Sequence, residues 1–421
     1  MNRERIGVIG AGVSGLTAAH LLQKRYDVVL FESDDRLGGH AHTHNLVAED
    51  GEPVAVDSGF IVHNDRTYPH LRRLFGELGV HTQETEMSMS VRCDECGLEY
   101  AGAKRWDGLF PRTANLRNRR YLRMLAQVPR FHREANRFLD AGHPREAMTL
   151  GAFLATGGYS DYFVDHFALP LVSAVWSTDG TRSRQYPVRY LFEFLRHHGM
   201  LSIGGSPTWR TVVGGSGEYV RRIAQRLHAV RRATPVRSVH PAVGSVQVRD
   251  ASDAVHELDR VVIATHADQA LGLLAHPTPR QRQVLGAFTY SENETWLHTD
   301  PSPLPTTRGA RASWNYLKTS CSAGPVGARV SYDLNRLMRL AEPADYIVTL
   351  NATEHVAPDQ ILTKMTYRHP VYTPESVAAQ RELPSIGDER VQFAGAYHGW
   401  GFHEDGCASG VRAAAAFGAG W

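Results

Sequence analysis

The sequence predicts an α/β fold in which a parallel sheet, assembled from separated stretches of chain, carries an inserted second domain. Three observations lead there. RIGVIGAGVSGLTAAHLLQKRYDVVLFES opens the chain as strand, glycine loop, helix and strand, a βαβ unit that implies parallel strands covered by helices. RVVIAT at 260–265 is a further short apolar run of the buried parallel kind. VQFAGAYHGWGFHEDGCASGVRAAAAF reads as strand, loop and alanine-rich helix. Parallel-type pieces therefore lie at the start, around 215–290 and at the end, and the stretches between them form the insertion.

Each element has a local reason. Ile6 to Ile9 is β-rich; the next segment is read as an amphipathic helix with Leu16, Ala19, Leu21 and Leu22 on its apolar side; DVVLF is a buried strand ending before Glu32. Residues 112–140 and 185–230 are helix-prone and arginine-rich, whereas 291–365 holds short alternating segments such as GARVSYDL and DYIVTLNA. No repeat or low-complexity tract occurs.

The bulk numbers narrow the function. With 421 residues, 42% hydrophobic, 21% charged and a net charge of +2, the chain fits neither a dedicated nucleic-acid binder nor an acidic solvating tail. No run of about 18 apolar residues suggests a membrane span, and the glycine-broken start lacks the pattern of a secretory signal. The four cysteines, Cys93, Cys96, Cys321 and Cys407, are too scattered for a disulfide framework, so a reducing cytoplasm is expected. Cys93-x-x-Cys96 finds no second CxxC or histidine pair at knuckle spacing. VRCDECGLEYAG is therefore read as two short strands around a turn, with no metal.

Gly10-x-Gly12-x-x-Gly15 follows a strand and opens a helix, the setting that makes this motif a dinucleotide site. Gly10 permits the tight turn, Gly12 lets the backbone approach a pyrophosphate, and Gly15 lets helix and strand pack closely. Val13 and Ser14 begin the helix whose N-terminus faces the phosphates. Glu32, followed by Ser33, stands where a carboxylate accepts hydrogen bonds from an adenosine ribose and repels a 2′-phosphate. NAD and FAD both satisfy this much.

The following residues resemble the amine oxidase and phytoene desaturase group of flavoproteins. RLGGH supplies Arg36, Gly38, Gly39 and His40; VDSGF supplies Asp57 and Gly59; VVGGSGEYVRRIAQRL, with Gly214 and Gly215, is similar to that group's return into the cofactor domain. TPVRSV places Val236 at the adenine, VVIATHA places Ala264 and Thr265 beside the cofactor, and FAGAYHGWGFHEDGCASG places Gly395 at the pyrophosphate and Glu404, Asp405 and Gly406 near the flavin. The chain resembles in particular a bacterial branch of predicted FAD-binding oxidoreductases carrying GGH…T, D-x-GFIV-x-N-x-x-TYP and G-x-GFHEDG. Some relatives there, and nearby fatty-acid isomerases, act on unsaturated acyl chains. The resemblance implies FAD as cofactor and a Rossmann-type FAD-binding domain with a small added antiparallel sheet, made of 1–75, 214–290 and 385–421. It leaves 76–213 and 291–384 as an α+β substrate domain.

His40, His42 and His44 alternate, so in an extended strand all three point one way. A zinc site would need a further ligand such as His63 or His403, at spacings that are not diagnostic; contact of His40 with the flavin is expected instead, and structural hydrogen bonds for His42 and His44. Candidate ring-side residues are His63, Asn64, Trp176, Ser177, Tyr397, Trp400, His403 and Glu404, with His403 and Glu404 as the acid–base pair and His63, Trp176 and Tyr397 beside them. Amine oxidases commonly place a lysine near the flavin; only Lys318 and Lys364 are available in the later substrate segment, and neither sits in a matching motif.

Residues 112–137 hold eight arginines and one acid, Glu134, with Leu116, Leu122, Leu125, Val128 and Phe131 at helical spacing and a kink expected at Pro129. This reads either as a peripheral contact with an anionic membrane or as a solvated arginine face over the core. The expected function is FAD-dependent hydride removal from a substrate C–H bond, desaturating or isomerising an unsaturated acyl chain. The alternatives are oxidation of an amine or tailoring of a secondary metabolite, and a non-catalytic FAD-containing lipid binder.

Overall fold

The computed structural model describes residues 3–421 apart from 49, 103–104, 142–147, 203, 323–327 and 352. Its first sheet is five-stranded and wholly parallel, in the order Ala229–Arg231, Asp27–Phe31, Arg5–Ile9, Arg260–Ile263, Val391–Phe393. The three apolar runs singled out in the sequence thus lie side by side at its centre and edge, and a crossover helix, Val13–Leu22, leads from Arg5–Ile9 to Asp27–Phe31. Val236–Pro241, Val246–Asp250 and Val255–Leu258 add a small antiparallel sheet.

The helix Val13–Leu22 departs from the amphipathic reading: all ten of its residues are buried. Its outer face is covered by the C-terminal helix His403–Ala416, which approaches so closely that a Cβ at Gly410 would lie 2.3 Å from the Ser14 carbonyl oxygen. Thr17 Oγ1 donates to Cys407 Sγ at 3.5 Å across 390 residues of sequence.

A second, seven-stranded sheet is built from Met89–Cys93, Glu99–Ala101, Thr289–His298, Trp314–Lys318, Val330–Asp333, Ile347–Leu350 and Ile361–Val371. All its pairings are antiparallel except that of Met89–Cys93 with Trp314–Lys318. Helices from the segment 119–197 pack beside this sheet around an aromatic core that includes Tyr121, Phe131, Phe163 and Phe192. The arginine-rich helix runs unbroken as Arg119–Asp140, through Pro129. Its apolar face, Tyr121, Met124, Phe131, Ala135 and Leu139, is spent on that core; Leu116 and Leu122 remain exposed. Among the described residues no helix is long and apolar enough to cross a membrane.

Candidate functional site

The glycine loop is shaped by two close approaches. Gly10 has φ +98°, and a Cβ there would meet the Ala264 carbonyl oxygen at 2.7 Å; a Cβ on Gly15 would sit 1.9 Å from the Gly10 oxygen. Gly12 differs: a Cβ would touch nothing within 4 Å, because it points into a cavity. Such an opening at a helix N-terminus suits a phosphate. Glu32 borders the same cavity, its Oε2 accepting the Ala11 N–H at 2.7 Å and its Oε1 accepting from Ser33 Oγ and Asp34 N. Val13, Ser14, Ser33, Gly39, His40 and Gly59 also line it, as do Val236, Ala264, Thr265 and Gly395 from the distant segments. The residues present therefore fit an adenine dinucleotide.

Other residues read as cofactor contacts stand behind this wall. Arg36 donates Nη1 to the Gly39 carbonyl at 2.8 Å and so braces its own loop, while the Gly38 N–H donates to the Ala11 carbonyl at 2.8 Å and holds the two glycine loops together. Gly406 backs onto Val13, where a Cβ would come within 2.6 Å of Cγ1. Asp405 accepts the Phe402 N–H at 2.9 Å, and burial pushes its carboxyl up to about 7. Asp57 is wholly buried and accepts from Ser216 N, Ser216 Oγ and Thr43 Oγ1, tying the segment returning at 214–217 to the strand pair Thr43–Val47 and Pro53–Asp57. Burial nevertheless lifts it to about 6.

The three alternate histidines do not share a strand. A turn at Gly38–Ala41, with Gly39 at φ +57°, precedes the strand Thr43–Val47 and sends His40 into the cavity. His42 and His44 stay together, ring centroids 4.0 Å apart, and bond to Tyr367 Oη and Ser58 Oγ. His40 stacks on Tyr367 at 5.0 Å and neighbours His369 and His266. Burial, reinforced by His369, holds it well below the usual imidazole range, and its Nε2 is buried without a partner. His266 lies within VVIATHA without being marked by it, and no sequence motif marked Tyr367 or His369. The available cue was that Tyr367 and His369 alternate on one strand, Ile361–Val371.

Of the ring-side candidates, Trp176, Ser177, Tyr397, Trp400 and His403 line the cavity. Trp176 Nε1 donates to the Trp400 carbonyl at 3.1 Å. His403 stacks on Phe60 at 3.8 Å, its Nε2 lies 3.1 Å from Tyr219 Oη, and burial pushes it down to about 3. Tyr397 Oη is buried and unpartnered. His63, Asn64 and Glu404 do not border the cavity among its described lining. His63 sits edge-on to Phe75 and Tyr68, and Asn64 bonds to Thr67. Glu404 accepts from His70 N, His70 Nδ1 and Leu71 N, at the start of the helix Pro69–Leu78. It is a capping carboxylate, worth on the order of 1 kcal/mol. Glu404→Gln is accordingly expected to lower stability by about that amount and leave turnover within about twofold of the parent; a hundredfold loss of kcat in a fully stable variant would restore it to the chemistry.

Beyond Trp176 the cavity continues into an apolar arm walled by Met89, Val91, Leu125, Val128, Phe167 and Leu171. The whole space measures about 1380 Å³, larger than the 300–1,000 Å³ usual for one small ligand. It has room for a cofactor and a substrate together. Among its described lining residues Glu32 is the one carboxylate, and no lysine appears. Lys318 and Lys364 lie elsewhere, the latter 4.2 Å over the Trp296 ring.

Comparison with known proteins agrees with this geometry. Residues 13–345 match the family model described as flavin containing amine oxidoreductase. The flavin-dependent L-tryptophan oxidase RebO of Lentzea aerocolonigenes is 38% identical over 78 residues, covering 18% of this chain and 16% of that protein. Amine oxidase [flavin-containing] A of Sus scrofa is 34% identical over 107 residues, 25% of this chain and 18% of that one. Matches to these relatives thus span under a fifth of their lengths. In fold, putrescine oxidase bound to putrescine superposes with a TM-score of 0.70 at 16% identity, covering 99% of this chain and 98% of the other. The CLA-producing fatty acid isomerase from P. acnes does so with 0.67 at 15%, covering 97% of each. By the extent of the family match and the cradle that fits its cofactor, the chain belongs to the flavin containing amine oxidoreductases and binds FAD.

Proposed function

We propose that the protein is an FAD-dependent oxidoreductase that takes hydride from an allylic C–H bond of an unsaturated acyl chain, leaving a new or a shifted double bond. The observation that carries this reading is the apolar arm, continuous with the cofactor cleft and free, among its described lining, of any carboxylate or lysine that would address an amine. Bound FAD supplies the two-electron acceptor. The chain's own residues hold the acyl chain against Met89, Leu125, Phe167 and Leu171 and exclude water, while Trp176, Tyr397 and Trp400 close round the reacting end. His40 and His403, kept neutral by burial, offer uncharged imidazoles for hydrogen bonds at the reacting end rather than strong bases. A shift returns the hydride to another carbon; desaturation also releases a proton and needs oxygen or another acceptor. The division of labour follows the sequence boundaries, FAD with 1–75, 214–290 and 385–421 and substrate with 76–213 and 291–384. Membrane attachment through 112–137 is left out of the proposal, because the apolar face of that helix is already buried in the core.

Anaerobic mixing with a polyunsaturated fatty acid is expected to bleach the visible flavin band, or, for a redox-neutral shift, to yield a positional isomer by gas chromatography of the products. The family match supports a second reading, amine oxidation; hydrogen peroxide and ammonia from amines, with unchanged fatty acid, would establish it in place of the first. Failure of both classes to react would leave a flavin-containing lipid binder.

A further inference from the structure

The turn between Met89–Cys93 and Glu99–Ala101 does more than reverse the chain. Cys93 and Cys96 meet His166 and Cys321, and the four ligand atoms all lie within 4.8 Å of one another. We propose that Cys93, Cys96, His166 and Cys321 form a tetrahedral Cys3His site for one structural zinc ion.

Two of the spacings are those of a zinc coordination sphere. Bonds of about 2.3 Å to sulfur and about 2.05 Å to nitrogen place tetrahedral ligands roughly 3.8 Å apart for S···S and roughly 3.6 Å apart for S···N. Cys93 Sγ lies 3.8 Å from Cys321 Sγ, and Cys96 Sγ lies 3.6 Å from His166 Nε2. A disulfide would need about 2.05 Å between the sulfurs and would leave Cys96 and His166 with no reason to converge.

The surroundings are prepared for thiolates and a neutral imidazole. The Cys96 N–H is directed at the Cys93 sulfur and the Leu98 N–H at the Cys96 sulfur, and Gly97 takes φ +68° to let the chain curl round them. His166 Nδ1 lies 3.2 Å from the Tyr162 carbonyl oxygen, the outer bond that fixes a metal-bound histidine's tautomer and leaves Nε2 free to coordinate. The Tyr162 ring stacks on the imidazole at 4.0 Å. His166 reaches the cluster from a π-helical turn, Val164–Ala168, a local widening that recurs at functional sites.

Zinc here would brace one wall of the apolar arm. Met89 and Val91 belong to the strand ending at Cys93, Phe167 follows His166, and Trp314–Lys318 pairs with that strand. The FAD cradle lies on other elements, so metal loss would loosen the arm and spare the cofactor.

The test is metal analysis of the full-length, FAD-loaded protein prepared without chelators. About one zinc per chain is expected, released by a mercurial and recovered with a chromogenic chelator. Cys96→Ser and His166→Ala should each lower zinc content more than about tenfold while FAD content holds; His166→Cys, which rebuilds a four-thiolate sphere, should keep it. Should the variants fail to fold, cobalt(II) exchanged into the parent protein reads the geometry directly, by the intense red-region bands of a tetrahedral thiolate site. A zinc-free parent protein with free thiols or a Cys93–Cys321 disulfide by mass spectrometry overturns the proposal. So does cobalt with only the weak spectrum of an octahedral aquo ion.

Discussion

Gly12→Ala yields a protein that folds as its parent does and emerges without FAD. The added methyl meets no protein atom within 4 Å, and Gly12 sits at φ −72°, open to any residue. What the methyl occupies is cavity, at the helix start where a pyrophosphate must come into contact with backbone N–H groups. Flavin content should fall at least about tenfold, corresponding to 1.4 kcal/mol or more of lost affinity, with the melting temperature of the flavin-free protein unchanged. Gly15→Ala separates the two uses of glycine in one motif. Its methyl lands 1.9 Å from the Gly10 carbonyl oxygen, backbone against backbone, so stability drops as well, by roughly 1–3 kcal/mol or more. The flavin-to-protein absorbance ratio and calorimetry of both variants decide the matter. A fully yellow Gly12→Ala would mean that the phosphates lie somewhere else.

Acid destabilises the protein through its buried imidazoles. His63, His198 and His298 are at most 6% exposed, and burial holds each down to about 4. A depressed folded-state pKa contributes stability that is present above the unfolded value near 6.5 and lost as the pH falls toward the folded one. Between about pH 7.5 and about pH 5.5 each therefore gives up somewhat more than about 1 kcal/mol, roughly 4 kcal/mol together. Asp57 and Asp405, raised to about 6 and about 7, carry the opposite sign and return about 1 and about 2 kcal/mol over that interval. His266, His369 and His403 border the cavity and are likewise pushed down, so bound FAD, by shielding them, tips the balance to a net loss of several kcal/mol. Urea unfolding of the FAD-loaded protein at the two pH values measures it; equal stability at both would show these imidazoles already protonated or hydrated.

What was legible in the sequence was whatever one continuous stretch encodes. The glycine motif, Glu32 and the strands round them carry their cues within a few residues, and the structure sets them about a common cavity. The histidine alternation misled because a period of two presumes an extended chain, and Gly38 and Gly39 break it at positive φ. Glu404 looked like a partner for His403 by adjacency, yet neighbours in a helix face different ways, and its carboxylate is turned toward His70 and Leu71. The apolar arm draws on residues 89–91, 125–128 and 167–176, a convergence with no linear signature. The same holds for Cys93 and Cys96, whose companions stand 228 and 70 residues away, at Cys321 and His166.

The edge strand Val391–Phe393 pairs with Arg260–Ile263, and the helix that follows it, His403–Ala416, covers Val13–Leu22 of the opening βαβ unit. During synthesis the phosphate loop thus leaves the ribosome some 390 residues ahead of the helix that covers it. Until that helix docks, Val13–Leu22, buried at all ten residues in the finished fold, has one face bare to water. Burial of that face is therefore a late step of folding, one that the protein completes whether or not the cofactor is bound.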